Sequence, residues 1–202
     1  MQSLTVDFAA KFSAVCYAAD GEVHREFDSG NMSMIDFVER LANIAKFIND
    51  RHPLDVILVE DVPYHEKNHV KNIFRAQGIL ILRFAQYELL DKVLWINPST
   101  WQKEFAGVAR APKGVTGAAG QRARVEAARL AALELGYTAP PLVQDYIDSL
   151  PEGTKVLKKN TDPLAKQMTD YVDAFLMHDW LRRFDGDLDR LRATVGVQPT
   201  LL

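Results

Sequence analysis

The chain has 202 residues, 48% of them apolar and 25% charged, and a formal net charge of −3. That length supports one domain whose core needs no disulfide or metal staple, and the composition argues against wholesale disorder. A single cysteine (Cys16) excludes an intrachain disulfide, the longest strongly apolar run (Gly78–Leu82) is far too short to span a bilayer, and an N-terminus with no basic start and with Asp7 in its apolar run does not read as a signal peptide, so the expected place is the cytoplasm.

In chain order, Leu4–Phe8 and Ser13–Tyr17 read as two short strands, and Ala18-Ala19-Asp20-Gly21 turns the chain into a third around Val23–Phe27, an antiparallel meander. Ser33 is placed as a helix N-cap with Asp36 three residues on. Met34, Phe37, Val38, Leu41, Ile44, Ala45 and Ile48 then recur at helical spacing, and Pro53 ends the helix. Val56–Val59 is a branched apolar run, the mark of a strand buried on both faces. A second helix spans about 68–90, and Val93–Ile96 is another buried strand, closed by Asn97-Pro98. A loop carrying Gly107, Gly114, Gly117 and Gly120 leads to an Ala-rich helix from about Arg122 to Leu135, stopped by Gly136. Residues 137–165, with Pro140, Pro141, Pro151 and Pro163, read as a long inserted loop. A last helix runs from about Thr169 to Phe184, and 185–202 is a tail that is partly helical at best. The expected architecture is α/β: one domain over 1–184, with a mixed sheet and helices around it.

Charge is unevenly spread. Residues 20–61 hold ten acids and four bases, whereas residues 101–130 hold six bases (Lys103, Arg110, Lys113, Arg122, Arg124, Arg129) and two acids. Lys67, Lys71, Arg75 and Arg83 add to the basic side. Two ordinary solvated surfaces would explain this; so would a basic face that holds a polyanion.

Four acids stand out. Asp7 lies inside an apolar strand, where a lone carboxylate is costly to bury without compensation. Glu60 ends the run Val56–Val59, at the kind of strand end where α/β sheets build sites. Asp170 and Asp173 share one face of the last helix. Carboxylates brought together from three elements repel one another and resist ionisation, a conflict that a divalent cation removes. An oxygen-only ligand set suits Mg²⁺, or Mn²⁺ in its place.

With these residues the sequence resembles the RuvC-type Holliday junction resolvases of the RNase H-like nuclease fold. The resemblance is carried by Leu4-Thr5-Val6-Asp7-Phe8-Ala9 with its return strand, Ile57-Leu58-Val59-Glu60-Asp61-Val62, Arg75-Ala76-Gln77-Gly78-Ile79-Leu80, and Asp170-Tyr171-Val172-Asp173-Ala174-Phe175. It covers about residues 1–136 and 166–182; Ala9 stands where the family usually has glycine. Small size and the inserted loop look more like a phage-type member, which would act in its bacterial host's cytoplasm.

The resemblance implies an RNase H-like mixed sheet of five strands. It also implies a DNA recombination and repair nuclease in which Asp7, Glu60, Asp170 and Asp173 hold two Mg²⁺ ions at the scissile phosphate, for an in-line attack by water with no covalent enzyme intermediate. Lys103 and Arg122 lie near where the family places basic residues beside the scissile phosphate, for phosphate contact or charge stabilisation, with plain surface bases as the alternative; Lys113 and Arg124 join them as DNA-binding residues, and Lys103 is counted with the catalytic set. Tyr64, the one aromatic in the loop after Glu60, would stack on an unpaired base beside Lys67; packing on the domain edge is the plainer alternative. The implied partner is branched DNA, a four-way junction. The second helix is apolar nearly all round at Ile79–Leu82, and the family's homodimer through this helix would cover its outer face, with Phe74, Ile81 and Phe84 contributing. Burial under 137–165 would cover it equally well.

Other readings compete. A fork or flap nuclease, or an RNA-processing nuclease of the same fold, would carry the same tetrad. His65-Glu66-Lys67-Asn68-His69 has zinc-peptidase spacing, but Pro63 places it in a loop entering a helix, and no third ligand stands out. An actin-like ATP-binding protein would share the sheet and the first-strand Asp, but the loop after Asp7 lacks the glycines a phosphate loop needs.

Overall fold

The computed structural model of the chain describes residues 1–9, 13–18, 33–61, 70–138 and 163–196. Strand β1 (Ser3–Ala9) runs through the middle of the sheet and returns antiparallel as β2 (Ser13–Ala18), with Asp7 opposite Val15. Helix α1 (Met34–Arg51) starts where the sequence predicts. The Ser33 side chain accepts from the Asp36 amide, and Pro53 follows the helix end. Strand β3 (Val56–Glu60) lies parallel to β1, and after helix α2 (Val70–Gln86) strand β4 (Val93–Ile96) lies parallel to β3. The sheet order is β2-β1-β3-β4, four strands among the described residues. The sheet is mixed, as expected. The third meander strand that would bring it to five, around Val23–Phe27, lies outside the described residues.

Alternation along the strands builds two cores. Leu4, Val6, Ile57, Val59, Val93 and Trp95 face α1 and α2, where Phe37, Leu41, Leu80 and Phe84 meet them. Val56, Leu58, Leu94 and Ile96 face the opposite layer. That layer is built from helix α3 (Pro98–Gln102), helix α4 (Gly117–Glu134), helix α5 (Pro163–Arg182) and helix α6 (Leu188–Val195). Trp101, Ala132, Tyr171, Leu176, Met177 and Leu191 fill it.

The structure departs from the expected elements in three places, and in the tail it shows the partial helicity expected there. Five residues form α3 inside what reads as loop; Asn97 caps it by accepting from the Ser99 amide, and Pro98 stands at its first position, where a missing N–H costs nothing. Helix α4 begins at Gly117 rather than Arg122, and α5 at Pro163 rather than Thr169. Beyond Asp185 the chain makes a further short helix, α6, capped by Asp187 and docked through the fully buried Leu191.

Helix α2 shows which of its apolar residues face outward. Leu80 and Phe84 are fully buried against α1 and the sheet, and Ile79 and Ile81 pack half-buried on the same core. Phe84 is therefore not on the outer face, contrary to expectation, because its position on the helix turns it toward α1. The outer stripe is Phe74, Gly78 and Leu82, four residues apart, with Phe74 40% and Leu82 61% exposed. Arg83 pairs with Glu39 and ties α2 to α1 beside this stripe.

Candidate active site

The site is built by register. Val6 pairs with Val59 in the parallel β1–β3 ladder, so the next residues on the two strands are Asp7 and Glu60. Residues level with one another in a parallel ladder point to the same side of the sheet. That side is fixed by their neighbours: Val56 and Leu58, of the same parity as Glu60, lie in the α5-side core, and Thr5, of the same parity as Asp7, donates its hydroxyl to the Ala174 carbonyl oxygen of α5 at 3.1 Å. Asp7 and Glu60 therefore stand side by side on the face that α5 covers. Asp7 is 4% exposed and Glu60 half-buried at its strand's end.

Helix α5 also carries Asp170 and Asp173. Asp173 is half-buried, one residue before the Ala174 anchor, and Asp170 lies one turn earlier on the helix; its side chain is outside the described residues. Among the described residues, no group of three or more His, Cys, Asp or Glu side chains is gathered to hold a metal. The described pair supplies only carboxylate oxygens, a donor set that fits Mg²⁺ or Mn²⁺. Asp170 and Asp173 on the covering helix are of the same kind.

The basic residues follow β4 in the chain, on α3, on α4 and in the loop between them. Lys103 is the exposed residue that closes α3, Lys113 is exposed in the loop before α4, and Arg122 is exposed on α4. Arg124 is half-buried and turns inward: its Nε donates to the Val108 carbonyl at 2.8 Å and its Nη2 to Gln102 Oε1 at 3.3 Å, which fastens the loop to α4. Gly107 lies under this fastening with φ of +80°, so close to α4 that a Cβ there would sit 2.9 Å from that of Ala127. Arg110, Thr116, Gly117, Gly120 and Arg124 line an open cavity of about 440 Å³ at the start of α4. Farther along the helix, Arg129 is paired with Glu126. The Arg129 hydrogen bond holds the Glu126 carboxyl below its usual range, against an opposing effect of burial and with added Coulombic attraction. The charge of Arg129 is thus spent within the helix. Tyr64 and Lys67 lie outside the described residues.

Sequence reasoning gave no role to Asp61 or Gln77. Gln77 is buried on α2 and donates from Nε2 to Asp61 Oδ1 at 3.2 Å. The signal was a lone amide in an otherwise apolar stretch of helix.

No family model matches the chain, and no curated protein matches it by sequence. Solved structures do. The chain is similar to RuvC of Thermus thermophilus, with TM-score 0.49 and 16% identity, over 92% of this chain and 97% of that one. It is also similar to Thermus thermophilus RuvC in complex with a Holliday junction substrate, with TM-score 0.51 and 13% identity over the same shares of the two chains. At such identity the likeness to the junction-bound structure is one of fold alone: the chain has a RuvC-like α/β fold.

Proposed function

We propose that this protein is a Mg²⁺-dependent, structure-selective endonuclease that resolves four-way DNA junctions by paired, symmetric nicks. The observation that carries the reading is the pairing of Asp7 and Glu60 at adjacent parallel strands, under a helix that bears Asp170 and Asp173, in a RuvC-like fold. The Thermus thermophilus protein of that fold is known in complex with a Holliday junction substrate, which supports branched DNA as the ligand here.

In this reading Asp7, Glu60, Asp170 and Asp173 hold two divalent ions. Bound there, Mg²⁺ supplies neutralisation of the carboxylates, activation of water and charge stabilisation at the scissile phosphate. The buried position of Asp7 fixes its oxygens in one place before DNA arrives, and Glu60, at the strand end, faces the substrate side. Lys103 and Arg122 contact phosphates next to the site, Lys113 extends that track along the backbone, and Arg124 serves it by fastening the loop that carries Lys113 to α4. Tyr64, with Lys67 beside it, stacks on a base freed at the junction centre.

Two nicks on opposed strands need two active sites related by a two-fold axis, so the working form is an isologous homodimer. The outer stripe of α2, Phe74, Gly78 and Leu82, supplies an apolar surface for it.

The reading is tested by Mg²⁺-dependent incision of a four-way junction, a fork, a plain duplex and an RNA–DNA hybrid of matched sequence. Preference for the junction is the expected result. Preference for the fork would reassign the protein to the fork or flap nucleases of the same fold.

A further inference from the structure

Successive carboxylates leave strand β3: Glu60 and then Asp61. Because side chains alternate across a strand, the two point to opposite sides of the sheet, Glu60 to the α5 side and Asp61 to the α2 side. Two features keep Asp61 there. Its backbone amide donates to the Ile96 carbonyl oxygen at 2.8 Å, which extends the β3–β4 ladder one residue past Glu60. Its carboxylate accepts from Gln77 Nε2 at 3.2 Å, and Gln77 is only 7% exposed. A buried amide without a partner is costly, so Gln77 holds its acceptor firmly. Ala76 and Leu80 pack beside it in the α1–α2 core, which fixes the donor in turn.

We infer that Gln77 is a positioning residue: by pinning Asp61 to α2 it holds the end of β3 in place, and so fixes the orientation in which Glu60 is presented beside Asp7. This rests on the metal-site reading of the preceding subsection. Without the pin, the last ladder bond frays and Glu60 loses its fixed orientation. Groups that orient ligands in this way tune metal affinity without touching the metal.

The test uses the full-length protein without DNA, with Mn²⁺ as probe and binding followed by paramagnetic resonance. Gln77→Met keeps the volume and removes the donor. It is expected to bind Mn²⁺ about three- to tenfold more weakly, the worth of one hydrogen bond. Asp61→Ala should show the same loss, and the double variant no further loss, since both changes break one link. Asp61→Asn, which keeps an acceptor oxygen, should bind about as tightly as the wild type. Urea unfolding without metal reports any purely structural effect, which would not reproduce this pattern. Unchanged Mn²⁺ affinity in Gln77→Met, or losses that add in the double variant, would overturn the inference. If Gln77→Met does not fold, equal affinities in Asp61→Asn and Asp61→Ala would overturn it. Wild-type binding that is indifferent to Asp7→Asn would remove the metal-site reading itself, and this inference with it; Asp7-dependent binding with an unaffected Gln77→Met would remove the inference alone.

Discussion

The buried hydroxyl of Thr5 donates to the backbone carbonyl of Ala174 at 3.1 Å, joining residues 169 apart in sequence. This bond seats α5 on the central strand within two residues of Asp7 and one of Asp173. It fixes β1 against the stretch of α5 that carries Asp173. Thr5→Val removes the donor and keeps the branched shape that suits a strand. It should cost about 0.5–1.5 kcal/mol of stability in urea. Because it loosens the helix over the site, it should also weaken divalent binding, which a surface substitution of equal energetic cost would not do.

The proposed metal site gives a direct prediction for stability as well as activity. A ligand that binds only the folded state raises its melting temperature by mass action. Mg²⁺ or Mn²⁺ should raise the melting temperature of the wild type and leave Asp7→Asn and Glu60→Gln unmoved. The same substitutions, and Asp170→Asn or Asp173→Asn, should reduce cleavage by about 10³-fold or more, since the ions carry several kcal/mol of transition-state stabilisation. DNA binding should persist. Near-wild-type cleavage by Asp7→Asn would sink the assignment.

DNA binding should fall steeply with salt, because each phosphate contact releases counterions. Lys103→Ala and Arg122→Ala should each lower the slope of log K against log salt by about 0.9. Arg129→Ala should leave the slope unchanged, because that guanidinium is bound to Glu126. A flat salt response in the wild type would contradict the basic face.

The Arg129–Glu126 pair has its own pH signature. Glu126 has its carboxyl held below the usual range in the folded state, so its contribution is present above the ordinary carboxylate range and disappears as pH falls through the lowered folded value. Both side chains are half-exposed and screened by solvent, so the whole effect is about 0.2–1 kcal/mol. Glu126→Gln should therefore lower the melting temperature slightly at neutral pH and not at all in strong acid. A loss of equal size at both pH values would show that it acts through packing.

Much of this architecture is legible in the sequence. The strand runs Val56–Val59 and Val93–Ile96 are compact and branched, and Ser33 with Asp36 marks a helix start that the structure reproduces. Glycine and proline obscured the rest. Gly120 reads as loop, yet it lies in the first turn of α4, where a Cβ would meet the Val115 carbonyl oxygen at 2.8 Å. Pro163 reads as a breaker, yet it opens α5 from the one end of a helix that tolerates it. Helix α6 is eight residues long, too short for periodicity to fix its bounds within a tail read only as partly helical. Of the site, Asp7 and Glu60 could be picked out one by one, but their adjacency follows from the β1–β3 register, a pairing between distant segments that no local pattern encodes. The outward face of α2 was misread for the same reason: Phe84 and Leu82 are equally apolar, and only the position of α1 decides that the first is buried and the second exposed.

That correction moves the test of the dimer. Leu82→Glu places a charge on the outer stripe without disturbing the core beneath, whereas a charge at Ile81 would strain the half-buried packing of the helix. Across a two-fold axis the substitution buries two like charges and should split the dimer in light scattering. The resulting monomer should still nick forks and should lose coordinated incision of junctions. A wild-type monomer, free and on junction DNA, would contradict the dimer.

Tyr64→Ala separates stacking from packing. Base stacking is worth about 1–3 kcal/mol, so its loss should slow cleavage of an intact junction more than of a fork whose bases are already unpaired. Equal losses on the two substrates would leave Tyr64 a packing residue.

The central claim is most directly tested by mapping Mg²⁺-dependent incisions on all four strands of a single immobile junction with the wild-type protein. The expected result is two nicks at symmetric positions on one opposed pair of strands, both abolished by Asp7→Asn. A single nick, nicks on adjacent strands, or cleavage no better than on a plain duplex would contradict the account.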